Sequence, residues 1–175
     1  MKSEIIAPEL LQKLIVMRKA KSPHDYSNYE ISPDGRKQLE RSASYIIQNI
    51  LPRLNPNKTL ILSAKFPMAE TTAEILQKEL QLSNLYSTSL LNARNIDQAK
   101  TLLSESSFRN KMSELVSGYS AVIMVTSKLL APYLHSIICL NKFQREGVEL
   151  NESDFYDYTT NPRTIFSAIN NSIYE

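Results

Sequence analysis

The stretch Ile31–Glu40, "ISPDGRKQLE", marks the point where the hydrophobic period changes. Ser32 followed by Pro33 has the form of a helix N-cap with proline at the first helical position, where the missing N–H is no loss and the fixed φ suits the helix. From there Leu39, Ala43, Ile46, Ile47, Ile50 and Leu51 recur at helical spacing, and Pro52 and Pro56 help to end the run. Upstream, "LIVM" at Leu14–Met17 is short, apolar and rich in β-branched residues, the form of a strand buried on both faces. A polar loop from Arg18 to Tyr29 joins the two.

The alternation continues. "TLILS", Thr59–Ser63, reads as a second buried strand, and Ala69, Ala73, Leu76 and Leu80 share one face of the helix that follows. "LYSTSLL" is a weaker third strand, as its Ser and Thr residues suit a loop equally well. Asp97–Val116 reads as helix with a break around "SESSF", and "AVIMV", Ala121–Val125, as a further strand before the loop and helix of "TSKLLAPYLHSIICL". Strands alternating with helices predict a parallel sheet covered on both faces with right-handed crossovers. Beyond Gly147 the pattern weakens: "GVELNESDFYDYTTNP" is expected to hold an edge strand or a long loop, and "RTIFSAINNSI" a short terminal helix.

Composition narrows the function. A chain of 175 residues with 42% hydrophobic content is expected to form one domain, residues 1–175, with a real core. Lys+Arg 20 against Asp+Glu 18 argues against a nucleic-acid protein held by phosphate neutralisation, so any anion site must be local. Cys139 is the one cysteine; it lies in an apolar run and reads as a structural thiol in a reducing compartment. The first residues, "MKSEIIAPELLQK", lack the apolar core of a signal peptide, and no apolar run reaches the roughly 20 residues of a membrane span, so a cytoplasmic location away from membranes is expected. With only Gly35, Gly118 and Gly147, Gly-rich phosphate loops are absent, and the scattered His, Cys and acidic residues lack metal-ligand spacing. No cofactor or metal is expected. The acids from Glu146 to Asp157 read as a solvated surface, and the aromatic "FYDY", Phe155–Tyr158, as core or edge packing.

In open α/β sheets the ligand crevice lies outside the carboxyl ends of the strands. The residues placed there are Arg18, Lys19, Ala20 and Lys21, then Ala64 to Met68, then Thr126, Ser127 and Lys128. Cations converging on one crevice suit a phosphate or carboxylate, since Arg forks and Lys adds point charge. Solvated loop lysines are the plain alternative.

Three elements in order carry a family resemblance. "LIVMRKAKS…ISPDGRKQLE" resembles the opening of the histidine phosphatase superfamily, the phosphoglycerate-mutase-like proteins, where a strand ends in Arg-His-Gly before a Leu-Thr-x-x-Gly-x-x-Gln-Ala helix start. "SAKFPMAETTAEIL" resembles that family's Ser-Ser-Pro-x-x-Arg-Ala-x-x-Thr-Ala-x-x-Leu element, and "AVIMVTSKLLAPYL" its strand ending in Val-x-His. The match spans Leu14 to about Leu134, and the compact length is most similar to the small SixA-like phosphohistidine phosphatases. The resemblance implies a three-layer α/β/α sandwich with a mostly parallel sheet.

It also implies a changed centre. On that motif the nucleophilic histidine falls on Lys19, the glycine on Ala20, the second arginine on Met68 and the second histidine on Ser127, leaving only Arg18 of the four central residues. Phosphoryl transfer by the family route needs a neutral imidazole to attack phosphorus and cations to neutralise the oxygens. A lysine with a pKa of about 10.4 is protonated at neutral pH and offers no lone pair. The expectation is therefore a degenerate, non-catalytic member with Arg18, Lys19, Ser127 and Lys128 as anion-binding residues. Its partner would be a phosphate-bearing or other anionic small molecule, a phosphoprotein or another protein. The alternatives are a phosphatase with displaced catalytic groups or a hydrolase built on Ser127 with Lys19 as base, although no oxyanion glycine or third group supports that pair. His24, beside Asp25 in the polar loop, is a weaker stand-in nucleophile, and His135 falls inside a predicted helix as a structural residue.

Overall fold

The structure, a computed structural model, describes residues 13–21, 30–93, 95–104, 106–140, 144–145, 149–160 and 163–174. The amino-terminal segment read above as lacking a signal lies outside the described residues. Strand β1 (Leu14–Arg18) is followed by helix α1 (Pro33–Asn49), β2 (Thr59–Ala64), α2 (Pro67–Leu80) and β3 (Asn84–Thr88). Helices α3 (Ile96–Ser104) and α4 (Ser106–Val116) lead to β4 (Ala121–Thr126) and α5 (Ala131–Leu140). Three short strands close the chain: β5 (Phe155–Asp157), β6 (Thr164–Ser167) and β7 (Ser172–Tyr174).

Among the described residues the seven strands form one sheet, with strand order β3-β2-β4-β1-β5-β6-β7. β3, β2, β4 and β1 pair in parallel, whereas β5, β6 and β7 add on antiparallel, so five of the seven strands run one way. β2 and β4 are buried at every residue and β1 at all but its last, which is why their sequences are continuous apolar runs instead of alternating ones. α1 packs on α2 over one face of the sheet, and Tyr45 of α1 stacks on Phe166 at 4.7 Å. On the opposite face α5 lies over β1, and its His135 stacks on Tyr158 at 3.8 Å and 3°. Phe155 and Tyr156 are fully buried and Tyr158 nearly so, so "FYDY" is core.

The α1 start forms as its sequence requires. Ser32 is extended, its Oγ accepts from the Gly35 N–H at 3.0 Å, and Pro33 opens the helix. The same turn receives the loop from β1: the Ser32 N–H donates to the Lys21 carbonyl at 3.0 Å. Gly35 permits that approach, since a Cβ there would lie 2.4 Å from the Lys21 oxygen. An unobstructed Gly→Ala change in a helix gains about 1 kcal/mol from propensity, but overpacking costs about 1–3 kcal/mol. Gly35→Ala should therefore destabilise the fold by up to about 2 kcal/mol in urea unfolding, whereas propensity alone predicts the opposite sign.

Three expectations are corrected. "RTIFSAINNSI" is no helix: it is the β6–β7 hairpin, joined through a turn in which the Asn170 N–H donates to Ser167 Oγ and Asn171 has φ of +48°. Ile165, Ala168, Ile169 and Ile173 imitate a helical stripe, but Asn tolerates the left-handed region that tight turns need. The acidic segment contributes β5, which is neither loop nor edge but lies between β1 and β6. Nor is that segment merely a solvated surface. Asp154 and Asp157 are buried and accept backbone N–H bonds, and Glu152 pairs with Arg18 at 3.2 Å.

Candidate functional site

β1 and β4 are parallel neighbours, with Arg18 opposite Thr126 at the last paired position. The next residues, Lys19 and Ser127, therefore emerge side by side, and the Lys19 N–H donates to the Thr126 carbonyl at 2.9 Å. From these adjacent strands α1 leaves toward one face and α5 toward the other, which opens a crevice between them. A cavity of about 470 Å³ occupies this place, and Lys19, Ser127, Lys128, Arg145 and Glu149 line it. Ala93, Leu129, Pro132 and Tyr133 complete its lining.

Local structure fixes the two strand-end residues. The Ala20 N–H donates to Thr72 Oγ1 at 3.0 Å, and that hydroxyl donates on to the Met68 carbonyl at 2.6 Å, so the buried Thr72 clamps the loop after β1 onto the first turns of α2. Ser127 Oγ accepts from the Leu130 N–H at 3.3 Å, holding the turn that leads into α5 and leaving its own hydrogen to donate. Burial is the main cause that holds the half-buried Lys19 amine below the ordinary lysine value; the Arg18 guanidinium adds to it, and the Glu152 carboxylate opposes it. Lys128 meets Glu149 in an ion pair at the rim, and Arg145 approaches the other Glu149 oxygen at 3.8 Å.

Of the residues expected to bind an anion, Lys19, Ser127 and Lys128 come together. Arg18 is engaged elsewhere: its Nη1 donates to the Leu150 carbonyl at 2.7 Å and its Nη2 meets Glu152, so it secures the segment before β5 and is not among the cavity's lining residues. Met68 is buried and Lys65 lines a different cavity beside β3. His24 lies outside the described residues. Sequence reasoning misses Arg145 and Glu149, because nothing in their spacing ties residues after α5 to a strand end.

Neither a protein-family model nor a curated protein sequence matches the chain. Solved structures do. A protein histidine phosphatase SixA complexed with tungstate superposes with a TM-score of 0.58 at 15% identity, over 93% of this chain and 92% of that one. A SixA phosphohistidine phosphatase structure from Agrobacterium tumefaciens gives 0.53 at 10% identity, over 94% and 99%. The chain has the histidine phosphatase fold. A mycobacterial glucosyl-3-phosphoglycerate phosphatase shares it at a TM-score of 0.50 and 13% identity, over 88% and 90%. Within this histidine phosphatase fold, the residues that leave β1 and β4 are a lysine and a serine, and the first turn of α2 carries a buried methionine. No helix among the described residues is long and apolar enough to cross a membrane.

Proposed function

We propose that this protein uses the histidine phosphatase fold to hold a phosphate-bearing or other small anion and does not transfer a phosphoryl group through histidine. The observation that carries this reading is the pairing of Lys19 and Ser127 at the ends of two adjacent parallel strands, on one cavity with Lys128 and Arg145. A protonated amine and a hydroxyl hydrogen are donors suited to an oxyanion. They are poor replacements for an imidazole nucleophile, and buried Met68 adds no charge. The use of Ser127 Oγ as an acceptor for the Leu130 N–H fits a binding and capping role better than an activated nucleophile.

Tungstate, a tetrahedral dianion at neutral and alkaline pH, is the probe. Calorimetric titration should show binding that weakens with added salt, because the rim cations are exposed and screened over roughly 10 Å at 0.1 M ionic strength. Its pH dependence follows from Lys19. The amine must be protonated to hold the anion, so affinity should fall as pH rises through its lowered native value, earlier than the usual 10.5 would give. Lys19→Arg should flatten that decline. Absence of any tungstate binding, or a profile unchanged by Lys19→Arg, would refute the assignment.

A further inference from the structure

The cavity's lining combines charged and apolar side chains, and Glu149 is among the charged ones. Its carboxylate lies against Lys128 and Arg145, so the rim already accommodates an anionic head group supplied by the chain itself. All three side chains are about half exposed, which makes this a weak, exchangeable contact. The apolar part of the lining is half-buried Leu129 and Tyr133, with Pro132 and Ala93. At about 470 Å³ the cavity is of small-organic-ligand size, and a bare oxyanion leaves these apolar side chains wet.

Resting on the anion-holding reading above, we propose that the cavity takes an organic anion with an aromatic or similarly apolar body, whose phosphate or carboxylate head displaces the Glu149 carboxylate from Lys128 and Arg145. The head meets the cations and Lys19, and the body covers Leu129, Pro132 and Tyr133. Glu149 is then an internal competitor that rejects weak anions lacking the apolar part.

Titration of the full chain with phenyl phosphate, benzoate, inorganic phosphate and acetate at one ionic strength tests this. Phenyl phosphate is expected to bind at least tenfold more tightly than inorganic phosphate, or benzoate than acetate, and whichever aryl anion is favoured identifies the head group. Glu149→Gln, an exposed change that does not threaten the fold, should tighten the aryl anion about three- to tenfold, and Lys128→Met should weaken it. Equal binding of aryl and bare anions would overturn this inference while leaving the anion-holding reading intact. Failure of every anion to bind would overturn both. Aryl binding that is indifferent to Glu149→Gln and Lys128→Met would place the ligand elsewhere and overturn the inference.

Discussion

Asp154→Ala is expected to lower the unfolding free energy by about 1–3 kcal/mol, the cost of leaving the buried Ala168 N–H without a partner. Asp154 has no exposed surface; its Oδ1 accepts from the Ala168 N–H at 2.8 Å and its Oδ2 from the Asn151 N–H at 3.1 Å. Its carbonyl also accepts from the Arg18 N–H at 3.0 Å, which extends the β1–β5 ladder toward the site. One residue thus ties together the turn before β5, the turn after β6 and, through its main-chain carbonyl, the carboxyl end of β1. Burial is the dominant influence on its carboxyl and raises its pKa above the usual 3.8, against the two backbone N–H bonds and Arg18. The sign follows: between the unfolded and native values the folded state binds more protons, so this group's contribution is full in acid and diminishes as pH rises through the native value. The stability gap between wild type and Asp154→Ala should therefore narrow across that window, as urea unfolding at a series of pH values would show. A gap that widened there would contradict the assignment.

Lys19→Glu is expected to weaken tungstate binding at least a hundredfold. Two unit charges about 4 Å apart interact by roughly 4 kcal/mol at an effective dielectric of 20, and reversal turns attraction into repulsion. Solvent and relaxation remove part of this, but a surviving change of about 2.7 kcal/mol still gives a factor of about a hundred. Lys19→Met, which removes charge without reversing it, should cost about tenfold, near 1.4 kcal/mol. Lys37→Glu on α1, exposed and lining a different pocket, should leave binding within twofold. A Lys19→Glu protein that binds tungstate as wild type does would remove Lys19 from the site.

The parts of the fold legible in the sequence are those whose residues act locally. β1, β2 and β4 are buried on both faces, so each appears as an unbroken apolar run, and the α1 start is encoded by Ser32, Pro33 and Gly35 within a few positions. The chain beyond Gly147 was not legible in the same way. β5, β6 and β7 have only three or four residues each, too few for a period to emerge, and Asp154 and Asp157 resemble surface acids until their backbone partners are known. The site divides similarly. Lys19, Ser127 and Lys128 follow from strand ends, a local property, whereas Arg18 turning to Leu150 and Glu152, and the approach of Arg145 and Glu149 to the cavity, depend on contacts across more than a hundred residues or on a return of the chain that no motif announces.

The measurement that bears most directly on anion holding without phosphoryl transfer is phosphorus NMR of phenyl phosphate and of a phosphohistidine peptide mixed with the purified protein, beside Lys19→Met. The expected result is a ligand resonance shifted or broadened by the wild-type protein and restored in the variant, with no inorganic phosphate appearing beyond the protein-free control. Inorganic phosphate accumulating over many turnovers with wild type, and lost with Lys19→Met, would contradict it and make the Lys19 cavity a working phosphatase centre.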